Sequence, residues 1–335
     1  MNILVTGGAG FIGFHTTKYL VSKGHKVIIV DSIGESYYNV SYKLRRLGIL
    51  CFHESEFNPN TIYSNSNSSI YFIKANLSKP EEYYSLLDSF IIDYVIHLGS
   101  HASVPYSLQH PEKYIQDIVS FYNVLNYTQK HSIKNFVFAS SSSVYGRENP
   151  APFLEEYPID NPISMYAASK VCDEIIAKTY CSIYPIPITA LRFFTVYGPC
   201  GRPDMAVHKF VQSVYTGEPI KVNGDGSIRR SYTYVDDVVE SLYRATFNPQ
   251  IDNKFRVFNV GNEETVSILE LVECIERVSG RKANIQFQES ISVDMPITST
   301  TMDKFYSVFG YRSEYNTERG ITQFISWFKN YYGIK

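Results

Sequence analysis

Cysteine is scarce: Cys51, Cys172, Cys181, Cys200 and Cys274 are odd in number and form no CxxC pair. That argues against a disulfide framework or a zinc site and suits a reducing compartment. A surplus of one charge is missing too. Lys plus Arg total 31 against 33 Asp plus Glu, a formal charge of −2, so no broad basic surface advertises nucleic acid or an anionic membrane. No apolar run approaches the ~20 residues that span a bilayer, and a strand pattern beginning at Asn2 leaves no room for a signal peptide. The expectation is a cytoplasmic globular chain with no metal, membrane or nucleic-acid partner, in which the sequons at Asn67 and Asn126 are chance. At 335 residues, 44% of them apolar, the chain can build two lobes and a substantial core.

What is present is a regular alternation. Nearly continuous apolar runs near 2–6, 26–31, 70–74, 93–98, 135–140 and 187–194 read as strands, separated by helical stretches near 11–23, 80–89, 111–130 and 164–183. Such strands are buried on both faces, which specifies an α/β chain with a Rossmann-type doubly wound parallel sheet. Phe52 to Ser69, rich in Asn and Ser, reads as a structureless surface excursion, and Lys43, Arg45 and Arg46 as a solvated helix face. Beyond Thr195 the pattern loosens, with a helix near 204–216, a glycine turn at Gly224 and Gly226, and amphipathic helices near 236–247, 267–279 and 317–332. Residues 1–195 are expected to form a dinucleotide-binding domain, to which the helix near 236–247 returns. Residues 196–335 are expected to form a smaller, discontinuous substrate-binding lobe.

Three segments carry chemistry. The run Ile3 to Val5 meets Gly7, Gly10 and Gly13 and then an amphipathic stretch from Phe11. Strand, glycine turn and helix in that order let the backbone approach a pyrophosphate, whose charge sits on the unpaired amides of the helix start. A second apolar run ends in Asp31, where a carboxylate can accept from the 2′-hydroxyl of NAD and repel the 2′-phosphate of NADP. The alternative for Asp31 is an ordinary aspartate in a surface turn, and the ribose reading, with NAD as the coenzyme, is the favoured one. The second segment, Asn135 to Gly146, ends an apolar run in Ser140 to Ser143, at the crevice edge of the sheet. In the third, Tyr166 and Lys170 stand four residues apart, on one helix face. A tyrosine titrates near pH ~10 and is a poor base at neutral pH unless a nearby cation stabilises its phenolate. Lys170 can supply that cation, and Ser141 can hydrogen-bond the oxygen that Tyr166 deprotonates. Taken alone, the Tyr-Lys spacing also fits an ordinary solvated helix.

Together these segments resemble the extended short-chain dehydrogenase/reductase family, the NAD-dependent sugar-nucleotide epimerases and dehydratases. The likeness continues through LRFFTVYGPCGRPDMA (Leu191 to Ala206), GEPIKVNGDGSIRRSYTYVDD (Gly217 to Asp237) and FNVGNEETVSILELV (Phe258 to Val272). Within the family the wording is most similar to the UDP-glucuronate 4-epimerases. The resemblance implies catalytic Tyr166, Lys170 and Ser141. It implies NAD contacts from Gly7, Gly10, Phe11, Ile12, Gly13, Asp31, Asn76, Leu77, Leu98 and Gly99, with Tyr166 and Lys170 at the nicotinamide end. Ser142, Ser143, Thr195, Arg202 and Arg230 are implied to face a UDP-sugar, and helices 111–130 and 164–183 to pair a homodimer.

The implied reaction is inversion at carbon 4 through a 4-keto sugar, interconverting UDP-glucuronate and UDP-galacturonate. Dehydratases of the family carry an Asp-Glu pair, and decarboxylases a Glu, where this chain has Ser142 and Ser143; small hydroxyls there suit a uronic acid. The alternatives are a 4-epimerase of UDP-glucose or UDP-N-acetylglucosamine, another keto-sugar-nucleotide enzyme of this fold, or a non-catalytic NAD-binding module. Asn76, Pro105, Asp117-Ile118 and Ser231 depart from the family pattern. Asn76 is expected to offer its carbonyl oxygen to the adenine amine.

Overall fold

β-branched residues dominate the apolar runs, and a pleated, doubly covered surface is where they pack best. The computed structural model describes residues 1–34, 37–54, 56–249, 254–289 and 297–334. In it, strands β1 (Asn2–Thr6), β2 (Lys26–Asp31), β3 (Ile62–Ser64), β4 (Ile70–Lys74), β5 (Tyr94–His97), β6 (Asn135–Ser141) and β7 (Ile188–Phe193) join a strand at Phe255–Val260 in one eight-stranded sheet. The order is β3-β4-β2-β1-β5-β6-β7, with Phe255–Val260 last. From β4 to β6 the strands run parallel, Val5 standing opposite Ile29 on one side and Ile96 on the other. The doubly wound, mostly parallel sheet is thus present as the sequence indicates.

Helices α1 (Phe11–Ser22), α2 (Ser41–Ile49), α3 (Tyr84–Leu87), α4 (Val104–Gln109), α5 (Pro111–Lys130) and α6 (Met165–Ile183) connect these strands. Phe121, Val124 and Leu125 of α5 are sealed in one core cluster with Val95, Phe136 and Phe138 of the sheet. At about 25 cal/mol per Å² of apolar area, such burial is the main stabilising term. Among the described residues no helix is long and apolar enough to cross a membrane.

Two local expectations fail for physical reasons. Phe52 to Ser69 is not structureless: it holds β3, paired antiparallel to β4 at the sheet edge, and it buries Phe52 and Phe57 against Phe72. Its polar composition masked two aromatic anchors. The helix expected over 80–89 is a 3₁₀ turn at Pro80–Glu82 followed by the short α3. Between them Tyr83, at φ −143°, is turned inward, 1% exposed, and donates its hydroxyl to the Leu77 carbonyl.

The chain divides into two compact units, Met1–Gly146, Ile159–Arg192 and Val239–Phe258 in one, Arg147–Pro158, Phe193–Val238 and Asn259–Lys335 in the other. The second contains α7 (Ala206–Thr216), the start of α8 (Val235–Phe247), α9 (Ile268–Ser279), α10 (Asp303–Phe309) and α11 (Thr317–Tyr332). Its strands form small pairings, such as Thr195–Tyr197 with Tyr232–Tyr234. Its core is Val211, Leu271, Ile275, Ile321 and Phe324 with the tyrosines at 197, 232 and 234. A reciprocal capping box of Ser267 and Glu270 starts α9, fixing its entry.

Beneath α6 lies a fully satisfied ion pair. Arg192 of β7 grips Glu174 through Nε–Oε1 (2.9 Å) and Nη2–Oε2 (2.7 Å), Ser140 of β6 donates to the same carboxylate, and Arg192 Nη1 reaches the Tyr145 hydroxyl at 2.9 Å. Both charged side chains are 3–4% exposed. Removing one partner of such a pair strands a charge in the core, at a cost of about 3–5 kcal/mol. Arg192→Leu is therefore expected to lower the unfolding free energy by roughly 3 kcal/mol, read as the urea midpoint; an unchanged midpoint would remove the anchoring role.

Candidate active site

The glycine turn is shaped by close approach. Gly7 follows β1 at φ +70° and donates to the Val30 carbonyl at 2.8 Å, and Gly10 donates back to Gly7 at 2.9 Å. A Cβ at Gly13 would stand 2.3 Å from the Gly7 carbonyl oxygen, and one at Gly7 would stand 2.8 Å from the Gly99 backbone. No side chain fits at either position. The first intrahelical bond of α1 runs from Phe14 to Gly10, so the amides of Phe11, Ile12 and Gly13 have no partner within the helix. This bare, positively polarised backbone cradle fits the diphosphate of a dinucleotide.

Asp31 ends β2 beside the turn, 5% exposed. Its Oδ2 accepts from the Ala9 amide at 3.2 Å and its Oδ1 from the Ile33 amide at 2.9 Å. Here the cationic run departs from a solvated face. Lys43 lies on Asp31 Oδ1 at 3.1 Å, and Arg46, 2% exposed, donates to the Ala9 carbonyl at 3.2 Å and to the Tyr38 hydroxyl. Only Arg45 of the three is exposed. Burial alone would pull the Lys43 ammonium down, but the Asp31 carboxylate outweighs it and holds it above the ordinary lysine value. Asp31 is therefore a charge-paired carboxylate. Lys43 and Arg46 escaped the sequence reading because nothing local links them to a residue one strand earlier.

The remaining predicted coenzyme residues also stand at strand ends. Leu98 and Gly99 follow β5 with both amides directed at Thr6 Oγ1, at 3.1 and 3.2 Å. Leu77 follows β4, and its Cδ1 lies 2.6 Å from where a Gly99 Cβ would be. The Asn76 carbonyl oxygen accepts from the Ser78 amide (3.0 Å) and hydroxyl (2.9 Å).

Ser141 closes β6 and caps the 3₁₀ turn Ser142–Tyr145, accepting from the Ser143 amide and donating to the Ser143 hydroxyl at 3.1 Å. Ser142 and Ser143 are half-buried. Ser140 is committed to Glu174. The Ser164 side chain caps α6 by accepting from Ala167. Tyr166 stands at the second position of α6, half-buried, in edge contact with Tyr114 at 6.1 Å between ring centroids. One turn on, Lys170 is 2% exposed and reaches Asp173 Oδ2 at 3.1 Å.

Three departures acquire physical causes. Pro105 lies in the first turn of α4, where a missing N–H costs nothing. Asp117 accepts from the backbone amide (2.8 Å) and Nδ1 (2.9 Å) of His101. Ser231 is sealed and donates to the Asn262 carbonyl, a bond that an aspartate carboxylate cannot make.

In the second unit, Thr195 is half-buried and opposite Tyr232. Arg202 closes on Asp204 through Nε–Oδ1 (3.0 Å) and Nη2–Oδ2 (2.6 Å), and Arg230 donates from Nη1 to the Arg229 carbonyl at 3.0 Å. The structure thus gathers the glycine turn, Asp31, Leu77, Leu98 and Gly99 around one set of strand ends, and puts Tyr166 and Lys170 in one helical row.

Residues 3–261 match the NAD dependent epimerase/dehydratase family. A UDP-glucuronate 4-epimerase of Thermodesulfobacterium geofontis is 32% identical, over 97% of this chain and 95% of its own. The crystal structure of a UDP-glucuronic acid 4-epimerase from Bacillus cereus, in complex with UDP-glucuronic acid and NAD, superposes with a TM-score of 0.86 at 28% identity, covering 99% of this chain and 100% of its own. A UDP-glucose 4-epimerase of Thermotoga maritima with UDP-glucose gives 0.85 at 26%, with the same coverage. The fold, the glycine cradle and these likenesses have one explanation: the chain is an enzyme of the NAD dependent epimerase/dehydratase family, in the extended short-chain dehydrogenase/reductase group.

Proposed function

We propose that this enzyme inverts carbon 4 of a UDP-sugar, interconverting UDP-glucuronate and UDP-galacturonate through a 4-keto sugar. The observation that carries the chemistry is the row formed by Tyr166 and the buried Lys170 on α6. Gly7, Gly10, Phe11, Ile12 and Gly13 hold the diphosphate of NAD, Asp31 its adenosine ribose, and Asn76, Leu77, Leu98 and Gly99 flank it. NAD supplies a reversible acceptor for the hydride of carbon 4. Tyr166, as phenolate, removes the proton of the 4-hydroxyl and returns it after the sugar has turned its other face. Lys170 stabilises the phenolate and holds the nicotinamide ribose, and Ser141 hydrogen-bonds the reacting oxygen.

The substrate reading is supported by small hydroxyls at Ser142, Ser143 and Thr195, which can hold a carboxylate without repelling it. With serines at 142 and 143, those two positions supply neither acid nor base for elimination. Arg202 and Arg230 face the charged parts of the substrate, Arg202 sharing its charge with Asp204. A UDP-glucose or UDP-N-acetylglucosamine epimerase is the second reading, favoured by the likeness to the UDP-glucose enzyme. A homodimer is proposed through α5 and α6: Ile115, Val119 and Tyr122 form an i, i+4, i+7 stripe, 51%, 43% and 45% exposed, and Ile175 of α6 is 58% exposed.

Three experiments test these readings. Incubation with UDP-glucuronate is expected to give UDP-galacturonate on product separation, whereas inversion of UDP-glucose alone would discard the carboxylate role of Ser142, Ser143 and Thr195. Tyr166→Phe should keep NAD binding and lose turnover by at least ~10²-fold; unchanged turnover would leave a chain that binds the coenzyme and uses another base. By light scattering, the wild type is expected at twice the chain mass and Ile115→Glu/Val119→Glu at the single mass. A monomeric wild type sinks the dimer.

A further inference from the structure

Asp173 is a buried carboxylate that the chemistry above leaves idle. It follows Lys170 by three residues on α6, with Oδ2 3.1 Å from Nζ and both side chains 2–3% exposed. Among the described residues its Oδ1 meets no hydrogen-bond donor. Burial pulls the Lys170 ammonium down, but Asp173 first, then Tyr166 and Asp117, outweigh it and hold it above the usual lysine value. Burial pushes the Asp173 carboxyl up, against the pull of Lys170.

Among the described residues, titratable groups face this pair from three elements. Tyr166, Cys172 and Glu174 come from α6, Asp117 from α5 and His97 from β5. Glu174 is committed to Arg192 and Ser140, and Asp117 to the amide and ring of His101. Burial, then Lys170, push His97 down to about 3, so it is neutral. Lys170 is thus the cation that Asp173 draws on, and it is the same cation on which a phenolate at Tyr166 depends.

We propose that Asp173 is a positioning residue: by sharing the Lys170 ammonium it sets the pH at which Tyr166 works as a base, an inference that rests on the base reading given above. A carboxylate on the ammonium cancels part of its field, and a nearby charge moves a titration by about 1–3 pH units. With Asp173 ionised, the phenolate forms at a higher pH than Lys170 alone would require. Removing the carboxylate shifts that point towards acid. The amide of asparagine has the same shape, and the free Oδ1 has no bond to lose.

The test is the pH profile of kcat/KM for the UDP-sugar that the wild type turns over, with Asp173→Asn and Asp173→Ser measured beside it. The acid limb is expected to move down by about one pH unit, with little change on the alkaline plateau. A limb that stays in place or moves up, in whichever variant folds, overturns the proposal, as does a uniform fall in kcat at every pH. Tyr166→Phe separates the two readings: if it still turns over, the base reading falls and takes this inference with it. If it is inactive while the limb of Asp173→Asn has not moved, only the role of Asp173 is lost.

Discussion

The rotation of α6 about its own axis is the constraint on which the candidate site depends, and the Glu174–Arg192 pair fixes it. Residues 166, 170 and 174 are spaced i, i+4, i+8 and drift by only about 40° per step around a helix. Glu174 is tied to β7 through Arg192 and to β6 through Ser140. A helix held by a forked pair on one residue cannot roll without breaking two charge-assisted bonds in a buried setting. The Tyr166–Lys170 row is therefore aimed by a contact one and two turns away. Ser140, the serine that serves this anchor, adjoins Ser141, so the same contact also fixes the end of β6.

The second constraint is backbone against backbone. Gly7 approaches Gly99, and Gly13 approaches Gly7, to distances that exclude any Cβ. The amide ends of α1 are thereby brought against the ends of β1 and β5. Asp31 then joins the turn to the next strand through Ala9, and Lys43 and Arg46 of α2 close over that junction. The turn is held by neighbours on three elements, in keeping with the preorganisation that a phosphate cradle needs.

Much of this was legible in the sequence because its signals are local. Strand runs, glycine spacing and the Tyr-Lys interval each lie within about 20 residues, and their geometry follows from helix and strand periods. What was not legible depends on distant partners. Nothing near Lys43 marks it as the counter-ion of Asp31, and a polar stretch hid Phe52 and Phe57 because burial there is decided by Phe72 of another strand. The contacts of Ser78 with the Asn76 oxygen, two residues apart, were not foreseen either. Asp117 had no account until its partner His101 came into view. Asp173 was the nearer miss: a Lys and an Asp three apart on a helix are neighbours by construction.

The two ion pairs of α6 are chemically unlike, and the difference bears on why each is there. In the Glu174–Arg192 pair both carboxylate oxygens accept hydrogen bonds and the guanidinium is forked, so the desolvation of both charges is offset. In the Lys170–Asp173 pair one buried oxygen has no partner among the described residues. An unmet buried acceptor costs about 1–3 kcal/mol, and well-packed apolar groups at such sites are often the more stable choice. A helix selected for packing alone would not place a half-bonded carboxylate within reach of this lysine. Its presence beside the ammonium that the proposed phenolate at Tyr166 would draw on makes an electrostatic role the simpler account, because a carboxylate that weakens the core acts strongly on its neighbours in that low-dielectric setting wherever it is ionised.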